Sequence, residues 1–146
     1  MIVAVDSTNI STAARVHSIS WKESHRSFCS PDFIETHSPQ RQEEYLLQKI
    51  KSGSRFFMLV EDSPVGVVSI AGSVIEDLYI LPERQRMGFG TKLLRHAIKQ
   101  CASVPTLWIL ENNKDAERLY RRTGFKPTGR RITRTNGLDE IELALV

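Results

Sequence analysis

The sequence predicts a mixed α/β fold, with a central sheet of about six to seven strands flanked by about four helices. Three observations carry that prediction. Short β-rich runs alternate with segments of helical periodicity along the whole chain. The links between them are short and hold turn and capping residues. The 146 residues, 40% of them hydrophobic, suffice for a core without staples. The span 1–146 is read as one domain.

Met1–Val5 is a short strand, and Asp6-Ser7-Thr8-Asn9 supplies helix-capping residues. From Ile10 the pattern turns helical: Ile10, Ala14, His17, Trp21 and Phe28 recur at spacings of three, four or seven. Ser30-Pro31 is expected to end that helix. A second helix covers about 39–51 and closes at Gly53. Arg55–Glu61 and Val65–Ala71 read as a hairpin around Asp62-Ser63-Pro64. Gly72-Ser73 turns into a third strand, Val74–Leu81, stopped by Pro82. After Gly88 an apolar stripe of Gly90, Leu93, Leu94, Ala97, Ile98 and Cys101 marks a helix, with Lys92, Arg95, Lys99 and Gln100 opposite. Val104–Leu110 is a strand. Asn113 caps a helix over about 114–123, with Asp115 and Glu117 first, Arg121 and Arg122 last, and Gly124 beyond its end. Phe125–Thr135 and Glu140–Val146 are the last strands, with Asn136-Gly137 as a hairpin turn.

Several classes are excluded. Cys29 and Cys101 are too few for a disulfide framework and lack metal-ligand spacing, so no metal is expected. Free thiols and the lack of a signal peptide at MIVAVDSTNI fit a cytoplasmic setting. No apolar run approaches the roughly 20 residues that span a bilayer. The net charge of +3 is unevenly placed. Segment 121–134 holds Arg121, Arg122, Lys126, Arg130, Arg131 and Arg134 with no acid, either to hold an anion or as a solvated edge. It has no recognisable binding motif, so nucleic acid is not an expected partner, and with no bilayer-spanning run neither is a membrane.

The chemistry begins in LYILPERQRMGFG, 78–90. A strand feeds a glycine-bearing turn into a helix N-terminus, which builds an anion site from backbone amides. Gly88 and Gly90 remove side chains where backbone approaches a ligand, and Arg86 adds charge. The pattern is neither a Walker loop nor a dinucleotide fingerprint. A second constellation follows: Asn113, Ala116, Tyr120, Gly124 and Phe125.

Together the two motifs resemble the GNAT superfamily of N-acetyltransferases, which use acetyl-coenzyme A. The matching stretches are VGVVSI, LYILPERQRMGFGTKLL, LWILENN and DAERLYRRTGF. The resemblance implies that the backbone of Leu78, Tyr79 and Ile80 pairs with the pantetheine arm. It implies that Arg86, Met87, Gly88, Phe89, Gly90 and Thr91 hold the pyrophosphate. Asn113 matches a polar contact near the thioester, and Tyr120 the acid that protonates the departing thiolate. A phenol with a pKa near 10 suits that role at neutral pH.

The base is less defined. Alternation with period two places Glu76 on the face of Leu78 and Ile80, so it is the candidate base, directly or through water. Many relatives carry a glutamate where Val74 stands, and some where Trp108 stands. Asp77 is expected on the opposite face. His17, Trp21 and His25 stand on one face of the first helix. Trp21, His25 and Trp108 are candidate walls of an acceptor pocket, against the plainer reading of a half-buried helix face. The expected activity is direct acetyl transfer to a primary amine in a ternary complex. The very short link at Gly72-Ser73 favours a small-molecule acceptor. The alternatives are a protein N-terminus or lysine, or a coenzyme A-binding module without catalysis. The C-terminal EIELALV is a candidate for strand pairing across a homodimer.

Overall fold

The structure is a computed structural model and describes residues 1–27, 29–134 and 137–146. In chain order its elements are β1 (Ile2–Ala4), α1 (Ile10–His25), α2 (Pro31–Glu35), α3 (Pro39–Lys51), β2 (Arg55–Val60), β3 (Pro64–Ala71) and β4 (Val74–Ile80). A 3-10 turn (Pro82–Arg84) leads to α4 (Phe89–Gln100), then β5 (Thr106–Leu110), α5 (Lys114–Thr123), β6 (Phe125–Thr133) and β7 (Asp139–Leu145). The seven strands form one sheet in the order β1-β2-β3-β4-β5-β7-β6. Every neighbouring pair is antiparallel except β4 and β5, which run parallel. The mixed sheet therefore agrees with the sequence expectation.

One helix is unforeseen. Ser30-Pro31 does not simply end α1, which stops at His25. The pair starts α2 instead: Ser30 Oγ accepts from the Phe33 amide at 3.3 Å, and Pro31 takes the first helical position. Proline there loses no intrahelical bond, so Ser-Pro opens a helix as readily as it closes one. Phe28, and Asn136 of the expected Asn136-Gly137 turn, lie outside the described residues, as does Thr135.

The sheet separates two apolar layers. On one face, α4 and α5 lay Leu93, Leu94, Ala97 and Tyr120 against Val68, Ile70, Ile75, Leu107, Phe125 and Leu143. On the other, α1 and α3 lay Ile10, Ala14, Val16 and Leu46 against Phe56, Met58 and Val67. Burial of these side chains stabilises the layers by about 1.5–3 kcal/mol for each large residue.

Two irregularities shape everything that follows. Opposite β3, Ser69 pairs with Asp77 but Ile70 pairs with Ile75, so Glu76 is an extra residue in β4. This bulge resets the alternation. Ile75 and Leu78 face the α4 layer, while Asp77 faces α1 and α3. Glu76 does not share the face of Leu78 and Ile80, as strict alternation predicts. It turns toward α3, where its carboxylate meets Lys49 Nζ at 2.9 Å and Ser54 Oγ at 3.4 Å.

The second irregularity is a split. β4 and β5 pair only at Val74 with Thr106 and Ile75 with Leu107, and beyond Ile75 the strands are unpaired. Residues 76–80 thus keep β3 on one edge and no strand on the other.

Two further expectations are corrected. β7 is flanked by β5 and β6, so both its edges are used and it cannot pair across a dimer. The free sheet edges are β1 and β6. The basic run is also largely neutralised once folded. Arg121 pairs with Glu117, Arg130 with Glu142, Arg131 with Glu111 and Asp139, and Arg134 with Glu140. The acids come from α5, the end of β5 and β7, which a linear window over 121–134 does not contain. No described helix is long and apolar enough to cross a membrane.

Candidate active site

The split between β4 and β5 opens into a cleft of about 350 Å³. At one end of its β4 wall stands the turn into α4. Gln85 Nε2 ties that turn back by donating to the Ile80 carbonyl at 3.1 Å. Arg86 has φ +65°, the one described non-glycine residue in the left-handed region. Such strain persists where a loop conformation is over-determined, often at a ligand site. Gly88 caps α4 at φ +85°, and nothing lies within 4 Å of where its Cβ would be. The first helical bond is Lys92 N–H to Gly88 O at 3.1 Å, which leaves the amides of Phe89, Gly90 and Thr91 outside the ladder. Among the described residues Arg86 joins no ion pair and Met87 is exposed, whereas Arg84 is held by Asp62 and lies over the Phe89 ring.

The two glycines differ in role. Gly88 is needed for its backbone conformation. Gly90 is not at positive φ, and a Cβ there would sit 3.4 Å from Leu119. Its smallness serves the packing of α4 against α5, a reason the sequence alone does not distinguish. Gly66 is a third, unanticipated case. A Cβ there would fall 2.5 Å from Ile80 Cδ1 and 2.6 Å from the Tyr79 carbonyl, so β3 can support the 78–80 segment only with glycine at that position.

The deeper cleft is assembled from distant elements. Glu76, Leu78 and Tyr79 come from β4, Trp108 from β5, and Asn113, Ala116 and Tyr120 from α5 and its cap. Trp21, Ser24 and His25 come from α1 and Phe33 from α2. The opening lets side chains from both faces of the sheet meet: Tyr120 from the α5 side, Trp21 and His25 from the α1 side. The sequence-predicted residues of β4, α5, α1 and β5 are thereby brought to one place. Cys29, Phe33, Leu138 and Glu140 also line the cleft, although sequence reasoning did not select them, and they are joined by Arg134 of the basic run. Their common signal is only that they follow α1 or flank the last hairpin.

Asn113 Oδ1 accepts from the Ala116 amide at 3.3 Å, which caps α5. That bond uses the carbonyl oxygen of the side chain and leaves its NH2 group to the cleft. Tyr120 is 8% exposed, and its hydroxyl makes no hydrogen bond among the described residues. Burial, then the nearby Asp77 charge, push its phenol well above the usual range. Tyr79 is shifted the same way, again chiefly by burial. The Trp108 ring lies 5.6 Å from the Arg130 guanidinium, itself 3.3 Å from Glu142.

Trp21 is sandwiched. The His25 and His37 rings each lie parallel to it within 10°, with centroids at 3.9 and 3.5 Å. Two parallel rings that close cannot share a face, so they cover both. His25 Nδ1 lies 2.9 Å from the Trp21 carbonyl. A carbonyl only accepts, so Nδ1 carries the proton. Burial lowers the pKa of both His25 and His37.

Behind β4 lies a polar cluster that the sequence did not reveal. Asp77 accepts from His17 Nε2 at 3.2 Å, from Tyr45 at 3.2 and 3.3 Å, and from Ser69 Oγ at 2.6 Å. His17 Nδ1 in turn lies 2.8 Å from Gln42 Nε2. Burial alone would raise the Asp77 pKa, but the bonds from His17, Ser69 and Tyr45 outweigh it and hold the carboxyl below its usual range. The available signal was a pair of adjacent acids, Glu76 and Asp77, inside an otherwise apolar strand, since a buried carboxylate requires partners. Its partners lie on α1, α3 and β3, so local pattern could not name them. Among the described residues no three His, Cys, Asp or Glu side chains are grouped to hold a metal ion.

Residues 15–125 match the family model described as "Acetyltransferase (GNAT) family". The chain belongs to the GNAT acetyltransferase family. It is similar to the peptidyl-lysine N-acetyltransferase YjaB of Escherichia coli strain K12, 35% identical over 69 residues. That match spans 47% of this chain and 46% of the relative, about half of each. Among solved structures, the PaiA N-acetyltransferase of Thermoplasma acidophilum in complex with coenzyme A superposes with a TM-score of 0.74 at 20% identity, over 97% of this chain and 96% of that one. The apo-form YjaB of Escherichia coli superposes with a TM-score of 0.71 at 21% identity, over 100% and 97%. At these identities the likeness concerns the fold. It extends over the whole sheet, including the last hairpin beyond the family match.

Proposed function

We propose that the protein transfers an acetyl group from acetyl-coenzyme A to a primary amine carried on an apolar stem, by direct attack in a ternary complex. The observation that carries this reading is the split beyond Ile75. It leaves an unpaired strand edge that runs on one side toward a helix N-terminus with unbonded amides and borders a cleft lined by a buried phenol.

The residues fit the donor. The amides of Phe89, Gly90 and Thr91, the open approach over Gly88 and the unpaired Arg86 suit a pyrophosphate. The open edge of Leu78–Ile80 suits an amide-bearing pantetheine arm. Bound there, acetyl-coenzyme A supplies an activated acyl thioester. Asn113 offers its free NH2 group to the same region. Tyr120 stays protonated through the physiological range because its pKa is raised, so it can hand a proton to the leaving sulfur.

The acceptor side favours a stem over a polycation. The cleft carboxylates Glu76 and Glu140 already hold Lys49 and Arg134. A polyamine would have to displace both cations. The remaining walls, Trp21, Phe33, Tyr79 and Trp108, suit an alkyl or arylalkyl group. A second reading, a lysine of a protein, is supported by the name of the Escherichia coli relative and by the lysine side chain's own apolar stem.

A thiol-release assay with acetyl-coenzyme A tests the reading, run over arylalkylamines, alkylamines, spermidine and a lysine peptide. Turnover is expected with the single amines. Coenzyme A binding by calorimetry with no turnover on any acceptor would instead identify a binding module.

A further inference from the structure

We propose that His17 and Asp77 are a positioning pair for the acceptor: their buried contact sets where the second half of α1, with Trp21, stands over Tyr79 of β4. This inference rests on the acetyl-transfer reading and deepens it.

The first argument is how α1 is held. The apolar side chains of α1 that the core buries are Ile10, Ala13, Ala14 and Val16, all in its first half. Beyond Val16 every buried residue of α1 is polar: His17, Ser18 and Ser20. Trp21 and His25, which line the cleft, stand roughly 6 and 12 Å further along the axis than His17. The half of α1 that walls the acceptor therefore extends past its apolar anchors. His17 is where it last grips the sheet.

The second argument is that this grip is directional at every atom. Asp77 is fixed first on its own sheet. Its amide donates to Ser69 Oγ at 3.1 Å, and Ser69 donates its hydroxyl back to the carboxylate at 2.6 Å. This clip sits beside the bulge at Glu76, where the ladder is interrupted. Tyr45 of α3 donates to the same carboxylate. A carboxylate only accepts, so His17 donates from Nε2 at 3.2 Å, and the Gln42 NH2 group donates to Nδ1 at 2.8 Å. With both ring nitrogens bonded, the imidazole cannot turn or slide without leaving a buried polar group unpaired.

The third argument is what the pair touches. Neither His17 nor Asp77 lines the cleft. The His17 ring meets the Tyr79 ring edge-on at 4.9 Å, and Tyr79 lines the cleft from β4. Trp21 lines it from α1, one turn beyond His17. The pair thus acts through two wall residues. Apolar side chains of similar volume would bury this contact without desolvating a charge. They would not fix one angle of helix over strand, because hydrophobic contact is non-directional.

The test is steady-state kinetics of the full chain with acetyl-coenzyme A and an arylalkylamine, with Tm and amide hydrogen exchange alongside. The variants are His17→Ala, His17→Gln and Gln42→Leu. His17→Ala is expected to raise the acceptor KM about 10-fold and leave the acetyl-coenzyme A KM unchanged. Amide exchange should quicken in 18–25 and not in α4. Glutamine can bring an NH2 group to Asp77, so His17→Gln should recover most of the acceptor KM. Gln42→Leu leaves Nδ1 unpaired but keeps the Asp77 bond, so its rise should be about 3-fold.

A merely structural role gives another pattern: a lowered Tm, faster exchange throughout, and both KM values at the wild-type level while the active fraction shrinks. That pattern would overturn the proposal. So would donor and acceptor KM rising together, or His17→Gln behaving as His17→Ala. Should His17→Ala not fold, Gln42→Leu decides by the same readings, and an unchanged acceptor KM there overturns the pair. Coenzyme A binding without turnover by the wild type would defeat the acetyl-transfer reading and the positioning role with it. Turnover with an unchanged acceptor KM in folded His17→Ala would defeat the pair alone.

Discussion

The two ends of the candidate site are built by different means. The end at α4 is made of backbone: a turn with Arg86 and Gly88 at positive φ, three amides outside the helical ladder, and one unpaired strand edge. All of it lies within 78–92. The other end is made of side chains: Trp21, His25, Phe33, Trp108, Tyr120 and the Arg134–Glu140 pair, from α1, α2, β5, α5 and the last hairpin. Under the proposed function, the group common to every donor molecule falls to a local backbone device, and the discrimination of acceptors falls to side chains, which can be exchanged without disturbing the sheet.

The sharpest way to break this contrast is Gly88→Glu. It places a negative charge over the amides and a side chain at φ +85°, so coenzyme A affinity should fall by about 1000-fold, roughly 4 kcal/mol. Because nothing lies within 4 Å of the new Cβ, calorimetric loss of binding should come with a fold intact by circular dichroism. Normal affinity would mean that the turn is not the donor site.

Asp77→Ala acts behind the cleft. It strips partners from buried His17, Ser69 and from Tyr45, and should cost about 3 kcal/mol in denaturant unfolding. Gly66→Ala tests how far the donor edge depends on β3. The clash with Ile80 and the Tyr79 carbonyl should destabilise by about 2 kcal/mol and weaken coenzyme A binding with it. Unchanged stability would show that β3 and β4 can separate freely. Tyr120→Phe keeps the packing against Phe125 at 5.9 Å and removes only the acid. It should lower kcat about 30-fold, roughly 2 kcal/mol, with coenzyme A affinity unchanged. Full activity would remove Tyr120 from the proton path.

The smallest effect is a pH dependence confined to the acceptor end. His25 and His37 have pKa values lowered in the fold, so the unfolded chain binds protons first. Their contribution to stability is present above about pH 6.5 and is lost as pH falls through the lower folded values. Tm should therefore decline from pH 7 to pH 5, and less steeply in His37→Asn. An identical slope would show that the stack does not resist protonation.

The end at α4 was legible because its encoding is local. A strand, a proline, a glycine turn and an amphipathic helix follow one another in sequence, and Asn113 and Tyr120 stand on one short helix. What escaped was set by register. One extra residue at Glu76 turned an acid off the expected face and sent its neighbour Asp77 into a cluster with α1, α3 and β3. Alternation counts residues and cannot see a bulge. The ion pairs of the basic run escaped for a related reason, since its neutralising acids lie outside the segment, and the pairs favour a solvated edge over an anion site.

By itself the sequence determined the order and type of nearly all elements, the glycine turn into α4 and the family. Those follow from short-range physics: hydrophobic period, caps, turns and backbone freedom. Only the tertiary structure decided that the sheet splits after Ile75, that β7 lies inside the sheet, and that residues of α1 and α5 line one cleft. These depend on which distant residues share a register or a face, and that is fixed by packing of the whole sheet between its two helical layers.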